Sequence, residues 1–290
     1  MFEGVLTALV TPFKQGDVDE PALRVLVEEQ IAAGIHGLVP CGSTGESATL
    51  SHEEHQRVVE IVVDASGGRV PVVAGTGSNN TREAIELTQH AKEAGADGAL
   101  LISPYYNKPT QAGIVEHYEA IAKATAFPLV FYNIPGRTAS NINARTQQTL
   151  AGIEYIVGVK EASGDLDQIA EVVRCAPSEF AVLSGDDSMT LPMLALGAKG
   201  VISTSSNIVP DQMVELVGAF QRGDHERARQ IHFQLMPIFD ALFCETNPIP
   251  VKAALAMLGK VGDEIRLPMT RLSKEGADKV RGTLSDLGLL

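Results

Sequence analysis

The chain has 290 residues, 44% hydrophobic and 20% charged, a composition that excludes disordered and fibrous classes and allows a sizeable buried core. Lys and Arg total 23 against 36 Asp and Glu, and the net charge of −13 repels polyanions, which makes nucleic acid and anionic membrane surfaces poor partners. Three cysteines, Cys41, Cys175 and Cys244, lie far apart in no C-x-x-C pair, which suits a reducing compartment rather than a disulfide framework.

The start, Met1-Phe2-Glu3-Gly4, lacks the basic and apolar regions of a secretory signal. No apolar run approaches the roughly 20 residues that span a bilayer, so a cytoplasmic protein is expected.

In chain order, short runs rich in Val, Ile and Leu recur at residues 4–10, 37–40, 70–75, 98–102, 128–132, 155–160, 180–184 and 200–203, each followed by a stretch of helical period. Near-continuous apolarity is the pattern of parallel strands covered on both faces, with helices as right-handed crossovers. Ser51 with Glu54, and Thr81 ahead of Ala84-Ile85 with Glu83 in the first turn, mark helix starts; Gly34, Gly95 and Gly197 mark helix ends. Eight such units predict a closed (β/α)₈ barrel of the TIM type. The rival, an open doubly wound sheet, usually carries a G-x-G-x-x-G turn after its first strand, and that turn here reads Thr11-Pro12-Phe13. Residues 1–222 make the barrel, and residues 223–290, with helices expected at about 224–243, 249–258 and 273–287, make a helical layer of the same domain.

Barrel active sites lie at the carboxyl ends of the strands, where four positions stand out. Lys160 closes the run 156–160, and alternation places it with Ile156 and Gly158 on the face assigned to the interior. Burial there lowers an amine's pKa and makes a nucleophile; a structural ion pair is the alternative. Tyr132, ending the preceding run, can pass protons near that amine or simply fill the core. Ser43 and Thr44, in the turn Cys41-Gly42-Ser43-Thr44-Gly45-Glu46, offer hydroxyls and backbone N–H groups to a carboxylate, although such a stretch is also an ordinary turn. Arg137, in Asn133-Ile134-Pro135-Gly136-Arg137-Thr138, either grips a second carboxylate or faces solvent.

Three further signals carry less. His52-Glu53-Glu54-His55 misses the zinc-protease spacing, because Gln56 stands where the second His is needed. Asp186-Asp187 reads as a helix N-cap, and its acidity argues against a phosphorylated ligand. Gly75-Thr76-Gly77-Ser78-Asn79 lacks the third glycine of a dinucleotide site. Neither a metal nor a cofactor is expected.

The sequence resembles, over nearly its whole length, the family of pyruvate-dependent class I aldolases and lyases that contains the dihydrodipicolinate synthases and N-acetylneuraminate lyases. The resemblance rests on residues 42–46, Ser103-Pro104-Tyr105-Tyr106-Asn107-Lys108-Pro109, residues 132–138, Gly158-Val159-Lys160-Glu161-Ala162, Ser184-Gly185-Asp186-Asp187 and Asn247-Pro248-Ile249-Pro250-Val251-Lys252. It implies that Lys160 forms an imine with pyruvate, that the enamine attacks L-aspartate 4-semialdehyde, and that ring closure gives 4-hydroxy-tetrahydrodipicolinate for lysine and diaminopimelate synthesis.

By the same resemblance, Tyr132, Thr44 and Tyr106 relay protons, with Tyr106 reaching in from a neighbouring subunit of a homotetramer. Ser43 stands where the family often has threonine. Arg137 binds the semialdehyde carboxylate, and Gly185 and Ile202 line the pocket with backbone. Ser47, Ala48, His52, His55, Asn79, Glu83 and Tyr105 match an interface pocket that binds lysine as an effector in some members. A lyase acting on a sugar acid is the alternative enzyme, and a keto-acid or amino-acid sensor without turnover the alternative of another kind.

Overall fold

The computed structural model describes residues 2–290. Its strands are β1 (Gly4–Ala8), β2 (Phe13–Lys14), β3 (Asp17–Val18), β4 (Gly37–Val39), β5 (Val73–Gly75), β6 (Gly98–Ile102), β7 (Leu129–Asn133), β8 (Ile156–Glu161), β9 (Ala181–Ser184) and β10 (Gly200–Ser203). Eight form one parallel sheet in the order β4-β1-β10-β9-β8-β7-β6-β5. A parallel bridge between Leu38 and Val72, with the Leu38 amide donating to the Pro71 carbonyl at 2.9 Å, joins its two edges and closes the (β/α)₈ barrel.

The strands are apolar on both faces because each face meets a different core. Val5, Ala99, Leu101, Leu129 and Phe131 belong to the outer cluster shared with the helices, whereas Leu6, Leu100, Val130, Tyr132, Leu183 and Ile202 fill the barrel. Phe2 packs with the inner set at the amino ends of the strands, where its ring leaves no room for a side chain at Gly98. The interior is therefore stopped at that end, and a ligand enters from the other.

One strand departs from simple alternation. Leu129 of β7 pairs with Ile156, but Val130 pairs with Gly158, so Val157 is an extra residue in the ladder. Ile156 accordingly packs in the outer core and Val157 with the inner one, contrary to the expectation that Ile156 shares a face with Lys160. The irregularity restores Gly158 and Lys160 to the interior. The hairpin of β2 and β3, turning through Gln15 and Gly16 at positive φ, was also not expected; two-residue strands leave no apolar run to read.

Helix His52–Ser66 opens with the expected capping box: Ser51 Oγ accepts from the Glu54 amide and the Glu54 carboxylate accepts from the Ser51 amide. Helix Thr81–Glu93 starts at Thr81, but its cap is Asn80, whose side chain takes the Arg82 amide. Gly34, Gly95 and Gly197 all follow helices with positive φ. Past the barrel, helix His225–Ala241 packs on helix Pro210–Gln221, and helix Lys274–Asp286 packs on both His225–Ala241 and Ile249–Met257. No helix among the described residues is long and apolar enough to cross a membrane.

Candidate active site

A cavity of about 550 Å³ opens at the carboxyl ends of the strands. Lys160, next to last in β8, projects into it and is only 6% exposed. Burial pulls its amine down to about 8; Asp187 and Asp186 oppose that shift and Arg137 adds to it. Tyr132 is its register partner on β7, and Lys160 Nζ lies 4.4 Å from the centroid of the Tyr132 ring. Burial raises the Tyr132 phenol above its ordinary range, so at neutral pH it holds its proton and is an acid in waiting.

Gly185 follows β9 and forms the wall against the lysine stem. A Cβ there would meet Lys160 Cγ and Cε at 3.0 Å and Ala162 Cβ at 2.8 Å, so the absence of a side chain is what lets the lysine extend along this path. Ile202 belongs to the packed interior cluster and is not part of the cavity wall.

The turn after β4 brings Ser43 and Thr44 to the cavity. The amides of Gly45, Glu46 and Ser47 are spent on carbonyls inside the turn, while those of Ser43 and Thr44 make no such bond and stand with the two hydroxyls as its offering to a ligand. Thr44 Oγ1 accepts from Asn247 Nδ2 at 2.9 Å and stands 3.4 Å from Thr204 Oγ1. Arg137, on the short helix Pro135–Thr138 that follows β7, reaches the same cavity and donates through Nη2 to the Asn247 carbonyl at 2.9 Å. Asn247 thus touches both the hydroxyl and the cation.

Tyr106 is not brought to these groups. It is 89% exposed, at a φ of +70°, and does not line the cavity, whereas its neighbour Tyr105 does. Ser47, Ala48, His52, His55 and Glu83 line the same cavity on the side of Tyr105, while Asn79 stands behind it, donating to the Tyr105 carbonyl at 3.1 Å. Glu83 takes a short hydrogen bond from Ser78 and one at 2.9 Å from His52; the Ser78 bond is the main reason its carboxyl lies below the usual range. His55 Nε2 meets the Gly75 carbonyl at 2.7 Å. The two histidines therefore serve separate partners, and no cluster of three or more metal-ligating side chains occurs among the described residues.

Of the two aspartates read together as a cap, only Asp186 caps, taking the Ser188 amide. Asp187 is buried, accepts from the amides of Thr204 and Ser205 and from Ser205 Oγ, and has its carboxyl raised chiefly by burial. It supplies the largest charge effect on Lys160.

A sequence model of the Dihydrodipicolinate synthetase family matches residues 1–287. The chain belongs to this family. A 4-hydroxy-tetrahydrodipicolinate synthase from Syntrophus aciditrophicus (strain SB) is 55% identical over 290 residues, covering 100% of both chains. The crystal structure of dihydrodipicolinate synthase from Aquifex aeolicus, 50% identical, superposes with a TM-score of 0.98 over 99% of each chain. Two more solved structures, each 43% identical, hold ligands: the chloride-inhibited dihydrodipicolinate synthase from Acinetobacter baumannii complexed with pyruvate, and that from Cyanidioschyzon merolae with lysine bound. Their TM-scores are 0.98 over 100% of both chains, and 0.97 over 100% of this chain and 99% of the other.

Set in a dihydrodipicolinate synthetase fold, the residues that sequence reasoning missed are polar and buried. Glu161, on the opposite face of β8 from Lys160, accepts from Asn133 Nδ2, from Gln147 Nε2 at 2.6 Å and from the Ser163 amide at 2.7 Å, which pins the strand end that carries the amine. Its position next to the lysine was the available signal. Asn247 lies in a quoted motif, but nothing local says that it reaches Thr44, 203 residues away.

Proposed function

We propose that the protein condenses pyruvate with L-aspartate 4-semialdehyde to 4-hydroxy-tetrahydrodipicolinate, the synthase activity for which its relatives are named, in lysine and diaminopimelate biosynthesis. The observation that carries this reading is a buried, pKa-lowered lysine over a tyrosine ring in a barrel-end cavity. The neutral Lys160 amine attacks the pyruvate ketone and, with loss of water, forms an imine that serves as the electron sink. Loss of a methyl proton gives the enamine, whose carbon attacks the aldehyde. The amino group of the second substrate then displaces Lys160 as the ring closes, so the amine returns unchanged and no cofactor enters the balance.

Tyr132 and Thr44 carry the protons, Ser43 and Thr44 hold the pyruvate carboxylate, and Arg137 takes the semialdehyde carboxylate. Gly185 contributes the backbone wall beside the Lys160 stem. Tyr106, exposed on its own subunit, completes the site of a neighbour in a homotetramer; full activity at monomer mass in sedimentation would contradict this. Barrel (1–222) and helical layer (223–290) act as one cytoplasmic domain, a reading supported by the shared outer core, which includes Leu242, Val251 and Leu284.

Lysine is the effector, at Ser47, Ala48, His52, His55, Asn79, Glu83 and Tyr105. The Glu83 carboxylate offers an ammonium partner, and the Cyanidioschyzon merolae structure holds lysine. Titration with lysine should raise thermal stability and slow turnover; neither response would remove the assignment. An assay of product from the two substrates tests the main reading. Turnover requiring both is expected, and pyruvate binding without turnover would contradict it.

A further inference from the structure

The turn that carries Ser43 and Thr44 ends on a buried ion pair. Lys252 Nζ, from helix Ile249–Met257, donates to Glu46 Oε1 at 2.5 Å, and both side chains are 2% exposed. The second carboxylate oxygen accepts the Arg266 amide at 3.2 Å, and Lys252 Nζ sits 4.2 Å from the Phe13 ring centroid. Burial lowers the Lys252 amine, with Glu46 opposing the shift. Glu46 has a φ of +56°, in the left-handed region, and so does Cys41 at the other end of the turn. A residue with a side chain keeps that conformation only where its surroundings hold it there.

A buried ion pair contributes little net stability, because desolvation offsets the attraction, and well-packed neutral side chains would serve a purely structural role as well. What the pair supplies is direction: it fixes the backbone two residues from Thr44, while Asn247, also from the C-terminal segment, holds the Thr44 hydroxyl itself. We infer that Glu46 and Lys252 are positioning residues that set the Thr44 hydroxyl for proton transfer, so that the C-terminal helical layer governs the chemical step. The inference rests on the reading of Thr44 as a proton relay.

The test compares the full-length Glu46→Gln/Lys252→Met double variant, Glu46→Asp, which keeps the charge but shortens its reach, and Thr44→Val. The double variant should melt within a few degrees of the parent, since both charges go together. Its kcat should fall about 10- to 100-fold while the KM for pyruvate, whose carboxylate Ser43 also holds, rises by much less, the signature of a displaced group rather than a lost binding site. The solvent deuterium isotope effect on kcat should rise as proton transfer becomes limiting. Glu46→Asp should show the same split, and it carries the test if the double variant does not fold. A stable double variant, or a folded Glu46→Asp, with the parent's kcat would overturn the inference while a slow Thr44→Val kept the relay reading. A fully active Thr44→Val would overturn the relay reading and this inference with it.

Discussion

The amine of Lys160 lies 4.4 Å from the centroid of the Tyr132 ring, and the two residues are register partners on adjacent barrel strands. No carboxylate among the described residues comes within ion-pair distance of this amine. A structural ion pair, the alternative reading of a buried lysine, is therefore not what the protein built. The lysine is desolvated against an aromatic face, and that environment favours the neutral, nucleophilic amine.

The low pKa of Lys160 has a stability consequence with a definite sign. Its folded value, about 8, lies below the ordinary 10.5, so the folded state is penalised wherever the amine must be charged. The penalty is complete below pH 8 and is relieved as pH rises from 8 toward 10.5, where the unfolded chain binds the extra proton. Lys160→Met removes it and should gain up to about 3 kcal/mol at pH 7. Urea unfolding of both proteins at pH 7 and pH 9.5 checks this: the advantage should shrink at the higher pH, and an advantage independent of pH would contradict the assignment.

Tyr132→Phe keeps the ring under the amine and deletes the hydroxyl. It should lower kcat by about 10²- to 10⁴-fold, the usual range for a lost proton-transfer group, and leave the melting temperature nearly unchanged. Steady-state kinetics with a thermal melt distinguishes this from a core aromatic, for which kcat would hold.

Arg137→Ala should raise the KM for the semialdehyde about 10- to 100-fold, as expected for a charge-assisted contact to a carboxylate, and alter the KM for pyruvate little. Equal losses for both substrates would sink the division of labour between Arg137 and the Ser43-Thr44 turn.

Gly185→Ala places a methyl 3.0 Å from two carbons of the Lys160 stem and 2.8 Å from Ala162 Cβ. The stem must bend, so the rate of imine formation with pyruvate, followed by stopped reduction, should drop at least about tenfold from a displacement of the reacting atom. A parent-like rate would show that the wall yields without moving the amine.

The barrel was legible because parallel strands, covered on both faces, write their apolarity without interruption, as in Leu129-Val130-Phe131. Lys160 and Tyr132 were legible as polar ends to such runs. The extra residue at Val157 was not, since a strand apolar on both faces gives no alternation to break. Asp187 was read with Asp186 because a local cap explains both; only the third dimension separates the exposed cap from the buried acceptor of Ser205. The link from Lys252 to Glu46 spans 206 residues, and no periodicity in the chain encodes it.

Borohydride reduction in the presence of pyruvate, followed by peptide mass spectrometry, tests the central claim most directly, because only an imine is trapped as a stable adduct. The adduct should appear on the peptide containing Lys160, and its yield should rise with pH as the amine passes through its pKa of about 8. Folded protein that gives no adduct, or an adduct on another lysine, would contradict the account.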